Sequence, residues 1–128
     1  MPDCDLDGAV NGLMGAAYGS AGERCRARAV EVAGGDVGDE RVSRLSKKAE
    51  ALKVGPGMDK TSEMGPLITK EHLNKVKGYV DLGVKEGAKL LVDGRNLKLQ
   101  GYEKGFYIGG CLFDQVKKDM RIYKEEIF

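Results

Sequence analysis

The chain has 128 residues, 41% hydrophobic and 32% charged, with 21 Lys and Arg against 20 Asp and Glu. That length makes one compact domain or part of one, burying roughly two thirds of its unfolded surface, and the balanced charge excludes polybasic binding to nucleic acid or anionic membrane. The longest charge-free run, Gly8 to Gly22, falls short of the about 20 apolar residues of a membrane span, and Asp3, Asp5 and Asp7 stand where a secretory signal would be basic.

Nineteen glycines, about twice the average usage of about 7%, are dispersed among periodic apolar segments and punctuate them. Leu6, Ala9, Val10, Leu13, Met14 and Ala17 fall at helical spacing and predict a first helix from Asp5 to Tyr18. Its small residues, Gly8, Gly12, Gly15 and Ala16, call for close packing to offset about 0.5–1 kcal/mol per interior Gly relative to Ala. The turn Gly19-Ser20-Ala21-Gly22 then delivers Glu23, Arg24 and Cys25 to an extended run, Ala27 to Val32. Val42, Leu45, Ala49 and Leu52 predict a second helix, capped by Asp36 or Asp39 and stopped at Val54-Gly55-Pro56-Gly57. Thr69 opens a third as N-cap, with Ile68 and Leu73 as a hydrophobic staple and Leu73, Val76, Val80 and Val84 along its face to Gly87. Ala88 to Val92 predicts a strand, and Phe106-Tyr107-Ile108 and Cys111-Leu112-Phe113 short extended pieces. The order is α/β, without an internal repeat. Both ends lack bounding signals, which predicts a fragment.

Cys4, Cys25 and Cys111 form an odd set without CxxC spacing, and with one His they predict no disulfide framework and no metal site. A reducing cytoplasm fits that usage. Cys25 follows a glycine turn where helix gives way to strand, a placement suited to a nucleophile, and Arg24 and Arg26 would favour its thiolate. Against this, a free Cys is usually a small buried apolar residue. Arg24 suits an anion clamp for a carboxylate on the same substrate, or else a surface ion pair with Glu23. Glu125 and Glu126 are adjacent and point to opposite faces of an extended chain, so spacing makes them a solvated acidic turn. His72 stands near a helix start as an exposed or capping residue. Gly55-Pro56-Gly57 lacks the Lys-Ser/Thr ending of a phosphate loop, and no GxGxxG occurs.

The stretches AAYGSAGERC, KVGPGMDKTSEMGPLITKEH and the terminal YKEEIF, in this order and spacing, resemble the catalytic half of an aldehyde dehydrogenase. GERC, DGR at Asp93 to Arg95 and LQGYEKGFYIGG resemble more narrowly the CoA-acylating methylmalonate-semialdehyde dehydrogenase branch. The resemblance covers the whole chain and implies an α/β catalytic-domain fragment over residues 1–128, with a mostly parallel sheet and flanking helices, the NAD-binding Rossmann domain lying outside it. It implies that Cys25 attacks an aldehyde carbon, that NAD takes the hydride and that the resulting thioester passes to CoA. Arg24 would bind the carboxylate of malonate or methylmalonate semialdehyde, giving acetyl-CoA or propanoyl-CoA. Glu126 would hold the nicotinamide ribose hydroxyls, two acceptor oxygens facing a diol, and Phe128 would lie beside the nicotinamide, while Glu125 keeps its place in an acidic turn. A cytoplasmic homo-oligomer, a tetramer when complete, is implied too, and the 128 residues alone are expected to be inactive. A non-acylating NAD(P) aldehyde dehydrogenase and an inert assembly remnant are the alternatives. Arg26, Arg28 and Glu31 depart from the family pattern in CRARAVEVAGGD. A charge buried in a sheet costs several kcal/mol unless paired, so these side chains face solvent or the strand is disturbed.

Overall fold

The first and third predicted helices start where a short polar side chain meets an apolar stripe. The computed structural model describes residues 3–23, 29–33 and 38–128. Helix α1, Leu6–Tyr18, is capped by Asp5, whose carboxylate accepts from the Gly8 N–H, and it buries Val10 completely. A Cβ on Gly8 would sit 2.5 Å from one Asp5 carboxylate oxygen, a contact that a small rotation of the Asp5 side chain would relieve. Gly12 and Gly15 correct the expectation of close packing, because a Cβ on either would meet nothing within 4 Å among the described residues.

Helix α2, Gly38–Glu50, carries Asp39 and Glu40 in its first turn and Lys47 and Lys48 in its last, charges that complement the helix dipole. Its buried face is Arg41, Leu45 and Ala49, so a guanidinium occupies one step of the apolar stripe. Asp36, the other cap candidate, lies outside the described residues. The helix ends before the Gly-Pro-Gly segment; Val54 instead forms a parallel bridge with Met64.

Helix α3, Lys70–Lys85, begins on Thr69, whose hydroxyl accepts from the His72 N–H. Ile68 stays 76% exposed and makes no staple. Val76, Val80 and Gly83 are buried, and a Cβ on Gly83 would meet Phe113 at 2.8 Å and Ile122 at 3.0 Å. The helix closes on Gly87, with φ +89°, a left-handed end that glycine adopts without strain.

Strand β1, Lys89–Val92, pairs antiparallel with β2, Leu112–Asp114, with an irregularity between Leu90 and Val92. The α/β class therefore holds, but the sheet among the described residues is two-stranded and antiparallel rather than mostly parallel. The chain between the strands returns on itself where Gly109 N–H donates to Gly94 O at 2.8 Å, and a hairpin-like return aligns strands head to tail. Residues 29–32 of the expected extended run join no strand among the described residues. A short helix, α4, Arg121–Lys124, precedes the C-terminal tail.

Ala21, Met64, Leu67, Val76 and Ile108 form a buried cluster, joined by Tyr18, Leu73 and Ile127 at its margin. Apolar burial thus ties the turn after α1 to α3 and to the tail. No described helix is long and apolar enough to cross a membrane.

Candidate active site

Three consecutive residues of the turn after α1 adopt left-handed backbone: Ser20 at φ 56°, Ala21 at φ 52° and Gly22 at φ 81°. Glycine takes this conformation freely, whereas Ser and Ala incur about 1–2 kcal/mol each. Burial of Ala21 in the central cluster and a Glu23 N–H to Ser20 O bond of 2.9 Å oppose that strain. The turn therefore stands tightly wound immediately before Arg24 and Cys25. Arg24 and Cys25 themselves, with Arg26 and Arg28, lie outside the described residues.

The C-terminal tail reaches this turn. A Cβ on Gly22 would lie 3.2 Å from the Phe128 ring, so glycine serves both the backbone conformation and the approach of the aromatic. Phe128 keeps 39% of its surface exposed and meets His72 edge-on, with ring centroids 6.5 Å apart. His72 Nε2 lies 3.1 Å from Glu23 Oε1, each side chain 22% exposed, without hydrogen-bond geometry; the two form an ion pair when the imidazole is protonated. His72 is thus a partner of the residue two before Cys25, besides lending its backbone N–H to the Thr69 cap. Spacing offered no signal for this pair, because its members belong to separate elements.

Of the two terminal carboxylates, only Glu126 is exposed and free of hydrogen bonds and ion pairs among the described residues. Glu125 corrects the expectation of a solvated acidic turn. It accepts from Tyr79 Oη at 2.7 Å and from Arg121 Nε at 2.7 Å and Nη2 at 3.0 Å. The Arg121 and Tyr79 bonds hold its carboxyl down at about 2. A folded-state pKa depressed in this way contributes stability above the unfolded value and loses it as pH falls through the folded one. The thermal midpoint lost by Glu125→Gln should accordingly be largest above about pH 5 and shrink toward pH 2, which a midpoint series against pH will check.

A cavity of about 590 Å3 runs beneath the turn, lined by Leu13, Val30, Val32, Leu45, Val80 and Phe128 among others. At its margin Arg41, only 7% exposed, donates to Glu31 Oε1 at 2.5 Å and to Cys4 Sγ at 3.0 Å. Glu31 is therefore neither buried alone nor unpaired, and its presence after Cys25 is matched by the guanidinium inside the α2 stripe. Arg95 of the DGR motif binds Asp93, Nη2 to Oδ2 at 2.5 Å, and Asp81, tying the end of β1 to α3. The Arg95 bonds also hold the Asp93 carboxyl below the usual carboxylate range. Cys111 accepts from the Gly94 N–H at 3.4 Å, and burial pushes its thiol up. No group of metal-ligating side chains occurs among the described residues.

The chain matches the model of the aldehyde dehydrogenase family over residues 1–128. It is 54% identical over 129 residues to the malonate-semialdehyde dehydrogenase of Pseudomonas aeruginosa, covering 100% of this chain and 26% of that protein. A Sinorhizobium meliloti protein crystallised with NAD superposes with a TM-score of 0.96 at 52% identity, over 99% of this chain and 26% of its own. The methylmalonate-semialdehyde dehydrogenase of Oceanimonas doudoroffii superposes with a TM-score of 0.94 at 49% identity, again over 99% and 26%. The chain thus spans about a quarter of the relatives it matches.

Proposed function

This chain belongs to the aldehyde dehydrogenase family, and we propose that its Cys25 is the nucleophile of a CoA-acylating oxidation of malonate or methylmalonate semialdehyde. The observation that carries this reading is the convergence of the tail on the wound turn before Cys25, with Phe128 against Gly22 and His72 against Glu23.

Cys25 Sγ adds to the aldehyde carbon to give a thiohemiacetal, and its own backbone N–H donates to the oxyanion that forms there. Arg24 binds the substrate carboxylate by charge-assisted bonds, fixing which end of the semialdehyde meets sulfur. NAD, when bound, accepts the hydride. The tail fits its nicotinamide riboside, since Glu126 offers an exposed carboxylate without another partner and Phe128 a half-exposed ring. The acyl group then leaves Cys25 as a thioester of CoA, with loss of CO2, to give acetyl-CoA or propanoyl-CoA. The complete enzyme acts as a cytoplasmic homo-oligomer, a tetramer.

The test uses a chimera in which these 128 residues replace the matching segment of the Pseudomonas aeruginosa relative. With malonate semialdehyde, NAD and CoA it should form NADH and acetyl-CoA in equal amounts. Release of free acid at the same rate without CoA would overturn the acylating reading in favour of simple hydrolysis.

A further inference from the structure

The tail carries two adjacent carboxylates of the same chemistry, Glu125 and Glu126. Successive side chains of an extended chain point to opposite sides, so a slip of one residue would exchange the two. Glu125 leaves α4 with extended backbone, φ −101° and ψ 145°, and its carboxylate accepts from Tyr79 Oη at 2.7 Å. Ile127, two residues on and hence on the same side, packs against the central cluster that contains Val76 of α3. Glu126 and Phe128 alternate with them and are exposed. We propose that Tyr79 is a positioning residue: by holding Glu125 it sets the register of the tail, so that Glu126 and not its neighbour meets the nicotinamide ribose.

Its place on α3 suits Tyr79 to that task. Val76 and Tyr79 stand three residues apart, neighbours on one helix face, so a single face of α3 receives both inward residues of the tail. Val76 and Val80, buried on either side, fix the stretch of helix from which the phenol projects. Arg121 also binds Glu125, but it lies four residues back on α4 with its side chain 61% exposed. A pair so close in the chain moves with the tail, and one so exposed contributes little. The start of α4 is tied to α3 separately, Glu86 accepting from the Arg121 and Ile122 N–H groups. Tyr79, 46 residues from Glu125, supplies the tie at the other end, next to Glu126. The inference rests on the reading of Glu126 given above.

The experiment is a calorimetric titration of the chimera and needs no turnover. One ligand is ADP-ribose, which carries the ribose without the nicotinamide ring; the other is ADP, which lacks that ribose. Tyr79→Phe, which removes only the hydroxyl, should weaken ADP-ribose about fivefold, the order of one hydrogen bond, and leave ADP unchanged. Glu125→Ala, which removes the anchored carboxylate, should do the same. On a Glu126→Ala background neither substitution should weaken ADP-ribose further, because the group they position is gone. Equal losses for ADP-ribose and ADP, or a loss undiminished beside Glu126→Ala, would overturn the inference and leave Tyr79 a structural residue. Glu126→Ala by itself separates the levels. If it weakens ADP-ribose while Tyr79→Phe does not, only the role of Tyr79 fails; if it has no effect on ADP-ribose, the reading of Glu126 fails and takes this inference with it.

Discussion

Cys25→Ser in the chimera should lower kcat for malonate semialdehyde by about 10,000-fold or more, the order seen when a covalent nucleophile is removed from an otherwise intact site. A serine hydroxyl is a weak nucleophile at neutral pH unless a base activates it. The loss should fall on kcat, with KM for NAD unchanged, because Glu126 and Phe128 belong to the tail and not to the nucleophile. A thiol-alkylation profile against pH gives an independent reading. In the parent, a fast component should persist below the ordinary thiol pKa of about 8.5 and disappear in Cys25→Ser. Cys111 contributes little to it, since burial pushes that thiol up. A Cys25 component that titrates like an unperturbed thiol, together with no turnover by the parent chimera, would favour the inert remnant over the enzyme.

How far the sequence was legible followed the range of the interaction concerned. Thr69 capping α3 was readable because cap and helix lie within four residues of each other, whereas Asp5, read as the first residue of α1, is its cap. Strand β1 was readable too, as an apolar run bounded by glycine turns. The short helix α4 was not, for its N-cap, Met120, makes no side-chain bond. Its first amides are instead satisfied from afar, Glu86 accepting from Arg121 N–H at 2.8 Å and from Ile122 N–H at 3.2 Å. The antiparallel partner of β1 was hidden for a similar reason: strand pairing is decided by the return of the chain through Gly94 and Gly109.

The same rule divides the candidate site. Spacing alone made Glu125 and Glu126 one acidic turn, and the structure splits them, Glu126 exposed and Glu125 held by Arg121 and Tyr79. The role proposed for Glu126 came from the family resemblance and could not have come from periodicity. Arg41 breaks the apolar stripe of α2 without warning in its own helix, because the compensating charge, Glu31, lies in another segment. Only a search for complementary charges across segments would have found it, and several acidic residues would have served equally well.

Gly94→Ala should be the most damaging substitution away from the nucleophile. A Cβ at this position would lie 2.2 Å from the Gly109 carbonyl carbon, 2.3 Å from its oxygen and 2.5 Å from its Cα. All three are backbone atoms, so no rotamer change can relieve the contact, and the two segments must separate. Separation breaks the Gly109 N–H to Gly94 O bond of 2.8 Å and shifts the Gly94 N–H away from Cys111 Sγ. It also pulls apart the connection that sets the register of β1 against β2. A loss of about 3 kcal/mol or more is expected, the upper range for overpacking where nothing yields. Two other glycines calibrate the result. Gly87 has open space around it but φ +89°, so Gly87→Ala should show the backbone penalty alone, about 1–2 kcal/mol. Gly57 has neither a neighbour within 4 Å nor a left-handed backbone, and Gly57→Ala should stay within about 0.5–1 kcal/mol of the parent, on either side. Denaturant midpoints of the three variants in the chimera should therefore fall in the order Gly57→Ala, Gly87→Ala, Gly94→Ala. A Gly94→Ala protein as stable as Gly57→Ala would mean that the chain between the strands does not close on itself at Gly109.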